Sequence, residues 1–185
     1  MKQGQVRIIG GVWRGRKLLV PEVLNLRPTP DRVRETLFNW LMPVISGAYC
    51  LDAFAGSGVL GFEALSRGAA HVVMVEQVPA LVTLLQQEQK KLKVENAEIY
   101  CATVPQQLKK SRQLFDIIFL DPPYQDNLLL PTCFYLEEHR FLSEKAYIYL
   151  EANEIVQQSN LPANWQLLKS KKAGQVAYHL AQRLL

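Results

Sequence analysis

Apolar residues recur in two rhythms along this chain. From residue 49 onward, short apolar runs at 49–54, 71–76, 97–102, 115–121 and 145–151 predict strands. Between them, 59–67, 80–93, 104–111 and 128–139 predict helices. Leu81, Leu84, Leu85, Glu88 and Leu92 keep the 3.6-residue period with one polar interruption. Strands alternating with helices of this length imply βαβ units: a mostly parallel α/β sheet with helices on both faces. The closing stretch WQLLKSKKAGQVAYHLAQRLL differs. It reads as two strands around Ala173-Gly174, an antiparallel hairpin at the sheet edge.

The N-terminal part has another style. VRIIGGVWRGRKLLVP gives two short strands around a glycine-rich turn. In RPTPDRVRETLFNWLMP, Thr29 is placed to cap a helix with Pro30 at its first position. Val33, Leu37, Trp40 and Leu41 form its apolar stripe, Arg32, Glu35 and Asn39 its polar side, and Pro43 limits it. The expected organisation is an extension over residues 1–45 and a main domain over 46–185.

Composition narrows the setting. With 49% hydrophobic residues, 185 residues suffice for one well-filled core. No apolar run approaches the ~20 residues of a membrane span, and the start MKQGQVRIIGG is not a signal peptide. A cytoplasmic protein without membrane association is expected, acting as a monomer. Cys50, Cys101 and Cys133 read as reduced core thiols, with no metal site.

Charge adds a direction. The net charge is +4, yet residues 1–35 carry eight Lys or Arg against three acids, so the remainder is close to neutral. A basic arm on a near-neutral body suits a polyanion such as nucleic acid, or is simply a solvated face. Arg7, Arg14, Arg16, Lys17, Arg27, Arg32 and Arg34 are the candidate phosphate contacts. Lys169, Lys171 and Lys172 extend the basic surface. Trp13, among these cations, either stacks on a base or packs the arm on the body.

Two motifs carry chemistry. CLDAFAGSGVLGFEAL places Gly56, Ser57, Gly58 and Gly61 between the first parallel strand and its helix, in the G-x-G-x-x-G spacing. Asp52, at the strand's end, is a poor neighbour for a pyrophosphate and a good one for a cation. S-adenosylmethionine carries an ammonium and a sulfonium and no phosphate, so it suits this loop better than a dinucleotide. Asp52, Phe54, Gly56, Ser57 and Gly58 are the expected contacts on this side. Glu76, ending the second strand, is placed for the ribose hydroxyls. Thr103 and Val104, after the third, should lie beside the adenine.

The second motif is IIFLDPPYQD, a strand that stops on Asp121, Pro122, Pro123 and Tyr124. Each residue before a proline is pushed toward extended geometry, and neither proline has an N–H to recapture a carbonyl. One carboxylate and one bare carbonyl then form a fixed fork with an aromatic ring behind. Such a fork takes both hydrogens of a flat NH₂ group while Tyr124 stacks on its base. Adenine N6, cytosine N4 and guanine N2 all fit. The base must leave its stack to enter.

At these residues the chain resembles the bacterial 16S rRNA guanine-N2 methyltransferases, through RIIGGVWRGRKL, RPTPDRVRETLFNWL, LDAFAGSGVLGFEALSRGA, FLDPPY and KKAGQVAYHL. The resemblance implies a class I methyltransferase fold with a seven-stranded sheet. It implies methylation of guanine 966 (usual rRNA numbering) at N2, with S-adenosylhomocysteine as by-product, on an assembling small subunit. Asp52, Gly56 and Gly58 match its motif for the amino-acid end of the cofactor, Glu76 its ribose ligand, and Asp121 to Tyr124 its catalytic tetrapeptide. Arg27, Pro28 and Thr29 match a signature flanking the pocket. Thr103 departs from it, standing where Asp or Asn is frequent. Competing readings are an adenine-N6 methyltransferase, an NAD(P)-dependent oxidoreductase and a non-catalytic RNA-binding module.

Overall fold

The computed structural model describes residues 3–21 and 29–185. Its centre is a seven-stranded sheet in the order β5-β4-β3-β6-β7-β9-β8. The strands are β3 (Tyr49–Asp52), β4 (His71–Glu76), β5 (Ala97–Cys101), β6 (Phe115–Leu120), β7 (Leu142–Ala152), β8 (Trp165–Ala173) and β9 (Val176–Arg183). The first five of these are mutually parallel, whereas β9 runs antiparallel to both β7 and β8. The expected α/β sheet with its antiparallel C-terminal hairpin is thus present. Strand order reverses beside β3, so a crevice opens outside the carboxyl ends of β3 and β6.

Helices α1 (Asp31–Leu41), α2 (Val59–Ser66), α3 (Pro79–Leu92) and α4 (Leu129–Glu138) cover the sheet. One apolar cluster joins Leu37, Phe38, Phe62, Leu85 and Phe119, and the other joins Ile118, Leu120, Cys133, Leu136 and Trp165. A separate antiparallel pair, β1 (Gln3–Arg7) with β2 (Lys17–Pro21), sends Val6, Ile8, Leu18 and Val20 into the first cluster. The N-terminal strand pair therefore shares a core with the large sheet and its helices. No helix among the described residues is long and apolar enough to cross a membrane.

Several expectations need correction. Residues 104–111 form turns and no helix. Leu108 N–H bonds the Pro105 carbonyl in a tight turn, and the next amide, Lys109, is drawn to the Tyr100 hydroxyl at 3.1 Å. Thr29 does not cap α1: Pro30 occupies the cap position, and the threonine hydroxyl turns elsewhere. The buried stripe of α1 includes Arg34 and Phe38, while Trp40 is half-buried and stacks on Tyr178. Cys50 and Cys133 are core thiols, but Cys101 is exposed.

Candidate active site at the strand ends

Four carboxylates gather at the carboxyl edge of the sheet. Asp52 ends β3 and Glu76 ends β4. Leu120 pairs with Leu150 in parallel register, which sets the next residues, Asp121 and Glu151, side by side. Parallel neighbours lie about 4.8 Å apart. Asp52, Glu76 and Glu151 are buried and Asp121 half-buried. None of the four takes part in an ion pair among the described residues.

The glycine loop explains part of this arrangement. Gly58 caps α2 at φ +72°, and a Cβ there would come within 2.4 Å of Leu85 Cδ2. Only glycine satisfies both the left-handed backbone and the close helix packing. Gly61 lies against Met74 and donates its N–H to Asp52 Oδ2 at 3.0 Å. Glu76 accepts the Gly56 N–H at 2.9 Å and the Val78 N–H at 2.8 Å, one on each oxygen. Each oxygen keeps a further lone pair, so Glu76 braces the loop and can still accept from a ligand.

Electrostatics favours a cationic ligand. Burial pushes the Asp52 carboxyl up to about 7, with Glu76 adding repulsion against the pull of the Gly61 and Phe54 amides. A buried carboxyl without a countercharge is stabilised as the anion only when positive charge arrives. Phe54 is half-buried against the second apolar cluster. Ser57 Oγ accepts the Val59 N–H at 3.4 Å. After β5, Val104 is buried, and the exposed Thr103 gives its N–H to its own loop, to Gln107 Oε1 at 2.9 Å.

Beyond β6 the two prolines separate the carbonyls. That of Pro123 accepts the Asp126 N–H at 3.1 Å; that of Pro122 takes no such backbone donor among the described residues. Asp121 and the Pro122 carbonyl are thus acceptors on consecutive residues after β6, as a two-acceptor fork requires. The Tyr124 ring, 38% exposed, stands beyond it, with its hydroxyl donating to Glu151 Oε1 at 2.9 Å. Thr29 Oγ1 donates to Asp121 Oδ2 at 3.3 Å. Burial, then Glu151 and Asp52, push the Asp121 carboxyl well above the usual carboxylate range.

The basic residues divide. Arg7, Arg14, Arg16, Lys17 and Arg32 are exposed. Arg27 lies outside the described residues. Arg34 is fully buried and cannot meet a phosphate. Its Nε donates to the Thr29 carbonyl at 3.0 Å, and Nη1 to the Arg7 carbonyl and Glu63 Oε1, both at 2.9 Å. Asp31 takes Nη2. Trp13 is half-buried against the core, donating its amide to Ser66 Oγ at 2.9 Å. The exposed Lys171 lies 5.8 Å from the Trp40 ring.

A groove of about 630 Å³, lined by Arg7, Arg14, Glu35, Asn39 and Arg67 among others, meets a second of about 410 Å³ lined by Lys17 and Thr29. Arg7 and Asp31 belong to both. The second reaches Thr29, the residue bonded to Asp121. Sequence reading passed over Glu151, Tyr149, Glu63 and Arg67. The signal for Glu151 was a charged residue closing an apolar strand, as in Asp52 and Glu76.

Comparison with known proteins agrees in extent with this fold. The family model described as Conserved hypothetical protein 95 matches residues 6–182. The ribosomal RNA small subunit methyltransferase D of Escherichia coli K12 is 49% identical over 180 residues, covering 97% of this chain and 91% of that protein. Its counterpart in Haemophilus influenzae is 47% identical over 184 residues, covering 97% and 95%. Among solved structures, Escherichia coli yhhF superposes with a TM-score of 0.88 at 49% identity, over 98% of this chain and 99% of that one.

Proposed function

Because the chain belongs to the family described as Conserved hypothetical protein 95, with small-subunit rRNA methyltransferases among its relatives, we propose that it is an S-adenosylmethionine-dependent 16S rRNA methyltransferase. Its target is the exocyclic N2 of a guanine in an assembling small subunit, and it acts in the cytoplasm as a monomer. One observation supports the chemistry: Asp121, at the end of β6, stands with Asp52, Glu76 and Glu151 at the carboxyl edge of the sheet, none of them in an ion pair among the described residues, and the Pro122 carbonyl after it takes no backbone donor there.

S-adenosylmethionine, when bound, supplies an electrophilic methyl group on a sulfonium. Asp52 then receives the positive charge its burial calls for, and Glu76 accepts from the ribose. Asp121 and the Pro122 carbonyl hold both N–H bonds of the amine, turning its lone pair out of conjugation toward the methyl. Tyr124 stacks on the base. Positioning and local charge supply most of the acceleration. Residues 1–45 serve as the RNA-binding extension, with Arg7, Arg14 and Lys17 holding phosphates along the two grooves and Thr29 at their inner end. The exposed Arg16 and Arg32 add to them, with Arg27 a further candidate from its sequence alone.

The test is to treat purified small subunits lacking the modification with the enzyme and labelled cofactor, then map the product by mass spectrometry. N2-methylguanosine at one position is expected. N6-methyladenosine as the sole product would overturn the choice of guanine, and tight NADH binding in place of S-adenosylmethionine would overturn the reaction class.

A further inference from the structure

Glu151 is a buried carboxylate that the transfer just described does not use. Two phenolic hydroxyls converge on it: Tyr124 donates to Oε1 at 2.9 Å and Tyr149 to Oε2 at 2.7 Å. Tyr149 is fully buried, two residues earlier on the same face of β7, so its hydroxyl is fixed by the core. Glu151 lies beside Asp121 through the β6–β7 register. Both Glu151 oxygens are thus held by phenolic donors, and the Glu151 carboxyl beside Asp121, after burial, pushes the Asp121 carboxyl up and makes it a better proton acceptor.

We propose that Glu151 is a positioning residue for methyl transfer, acting through its two neighbours: it makes Asp121 the proton acceptor of the pair and anchors the Tyr124 ring that faces the base. This rests on the reading of Asp121 as the group that meets an exocyclic amine. As the N–C bond forms, the S–C bonding pair stays on sulfur, which becomes a neutral thioether, and nitrogen acquires the positive charge. The N–H proton then moves to the Asp121 carboxylate, leaving a neutral secondary amine and a carboxylic acid that ionises to water on product release.

The groups facing Asp121 are Glu151 and Tyr149 from β7, Asp52 from β3, Thr29 ahead of α1 and Tyr124 from its own loop. Thr29 pulls the Asp121 carboxyl down, while Glu151 and Asp52 push it up. Removing the charge on Glu151 must therefore lower the pH at which Asp121 ionises. Removing a tyrosine hydroxyl acts in the same direction, because it frees the Glu151 carboxyl from its fixed place beside Asp121.

The experiment compares wild type, Glu151→Gln and Tyr149→Phe in two ways. Carboxyl ¹³C NMR of the free protein, with Asp121 assigned by Asp121→Asn, follows ionisation directly. Expected is an Asp121 midpoint well above an ordinary aspartate in wild type, falling by about one pH unit or more, a tenfold change in proton concentration, in Glu151→Gln. Tyr149→Phe, which preserves the ring in the core, moves it less in the same direction. Single-turnover rates on small subunits should show an acidic limb that shifts with the NMR midpoint, while cofactor affinity at fixed pH stays within about twofold. An Asp121 midpoint that does not move in folded variants overturns the proposal. A product other than N2-methylguanosine with the shift intact keeps the role of Glu151 and removes the guanine.

Discussion

Two buried clusters of charge stand about α1 and α2, and they are built on opposite terms. At the junction of the N-terminal extension, Glu63 is fully buried and fully paired. Arg34 Nη1 meets one oxygen at 2.9 Å, Arg67 Nε the other at 3.1 Å, and the Ile9 amide adds a third donor. At the strand ends, Asp52, Glu76, Asp121 and Glu151 are held by amides and hydroxyls, with no cation among the described residues. The first cluster is electrically closed and fastens parts together. The second is open among the described residues, as the proposed binding of a cationic ligand requires. Burial alone does not tell a structural acid from a functional one; the presence of its countercharge does.

The largest effect should come from opening the closed cluster. Arg34→Ala leaves Glu63 buried against a single guanidinium and frees the Thr29 carbonyl. Losing one member of a buried pair typically costs about 3–5 kcal/mol, and chemical denaturation should read a loss of that size. Arg34→Lys should rescue little, because one ammonium cannot reach the Thr29 and Arg7 carbonyls, Glu63 and Asp31 from the same stem. A variant as stable as wild type would show that the junction fastens nothing.

Next comes Asp121 in the open cluster. Asp121→Ala should slow turnover by about 10²–10³-fold, the usual loss when one preorganised hydrogen-bonding group is removed. Folding should hold or improve, because a half-buried carboxyl that Glu151 and Asp52 repel is gone. S-adenosylmethionine binding measured by calorimetry should persist. Full activity in this variant would remove the fork from the chemistry.

The contrast also explains what was legible in the chain. Parallel strands and three of the main helices announce themselves because apolar period is a local property, and β4 falls on residues 71–76 as expected. Asp52, Glu76 and Asp121 could be singled out because each closes an apolar run beside a loop with special backbone demands. Arg34 was misassigned because a lone arginine within a basic arm looks like its neighbours. Its partner Glu63 is 29 residues away and sits in an apolar helix that gives no hint of charge pairing. Glu151 carries the same local signal as Asp52 and Glu76, but only the strand register, which no local window contains, sets it beside Asp121. The segment 104–111 failed because a hydroxyl from β5, Tyr100, competes for a helix amide.

A smaller effect sharpens the open cluster further. Asp52 in the free protein ionises near 7, raised mainly by burial. A cationic cofactor favours the ionised form, so binding below that pH must expel a proton. Affinity should therefore fall about tenfold for each unit of pH below the midpoint and level off above it. Calorimetry in buffers of different ionisation enthalpy should detect proton release near neutrality. Asp52→Asn should bind more weakly at high pH and lose most of this dependence. A wild-type affinity independent of pH would mean that the cofactor's charge is met elsewhere.

The smallest effect sets an exposed arginine against the buried one. Arg14 lines the larger groove and is open to water, so Arg14→Gln should leave stability within about 0.5 kcal/mol of wild type. If the groove carries RNA, affinity for the small subunit should drop several-fold, and the slope of log affinity against log salt should shrink by about one. The same substitution at Arg34 should do the reverse, unfolding the junction before any salt dependence can be read. Equal salt slopes for Arg14→Gln and wild type would move the RNA path off this groove. Phosphate contacts would then have to come from the exposed lysines of β8, where triple replacement of Lys169, Lys171 and Lys172 would be the matching measurement.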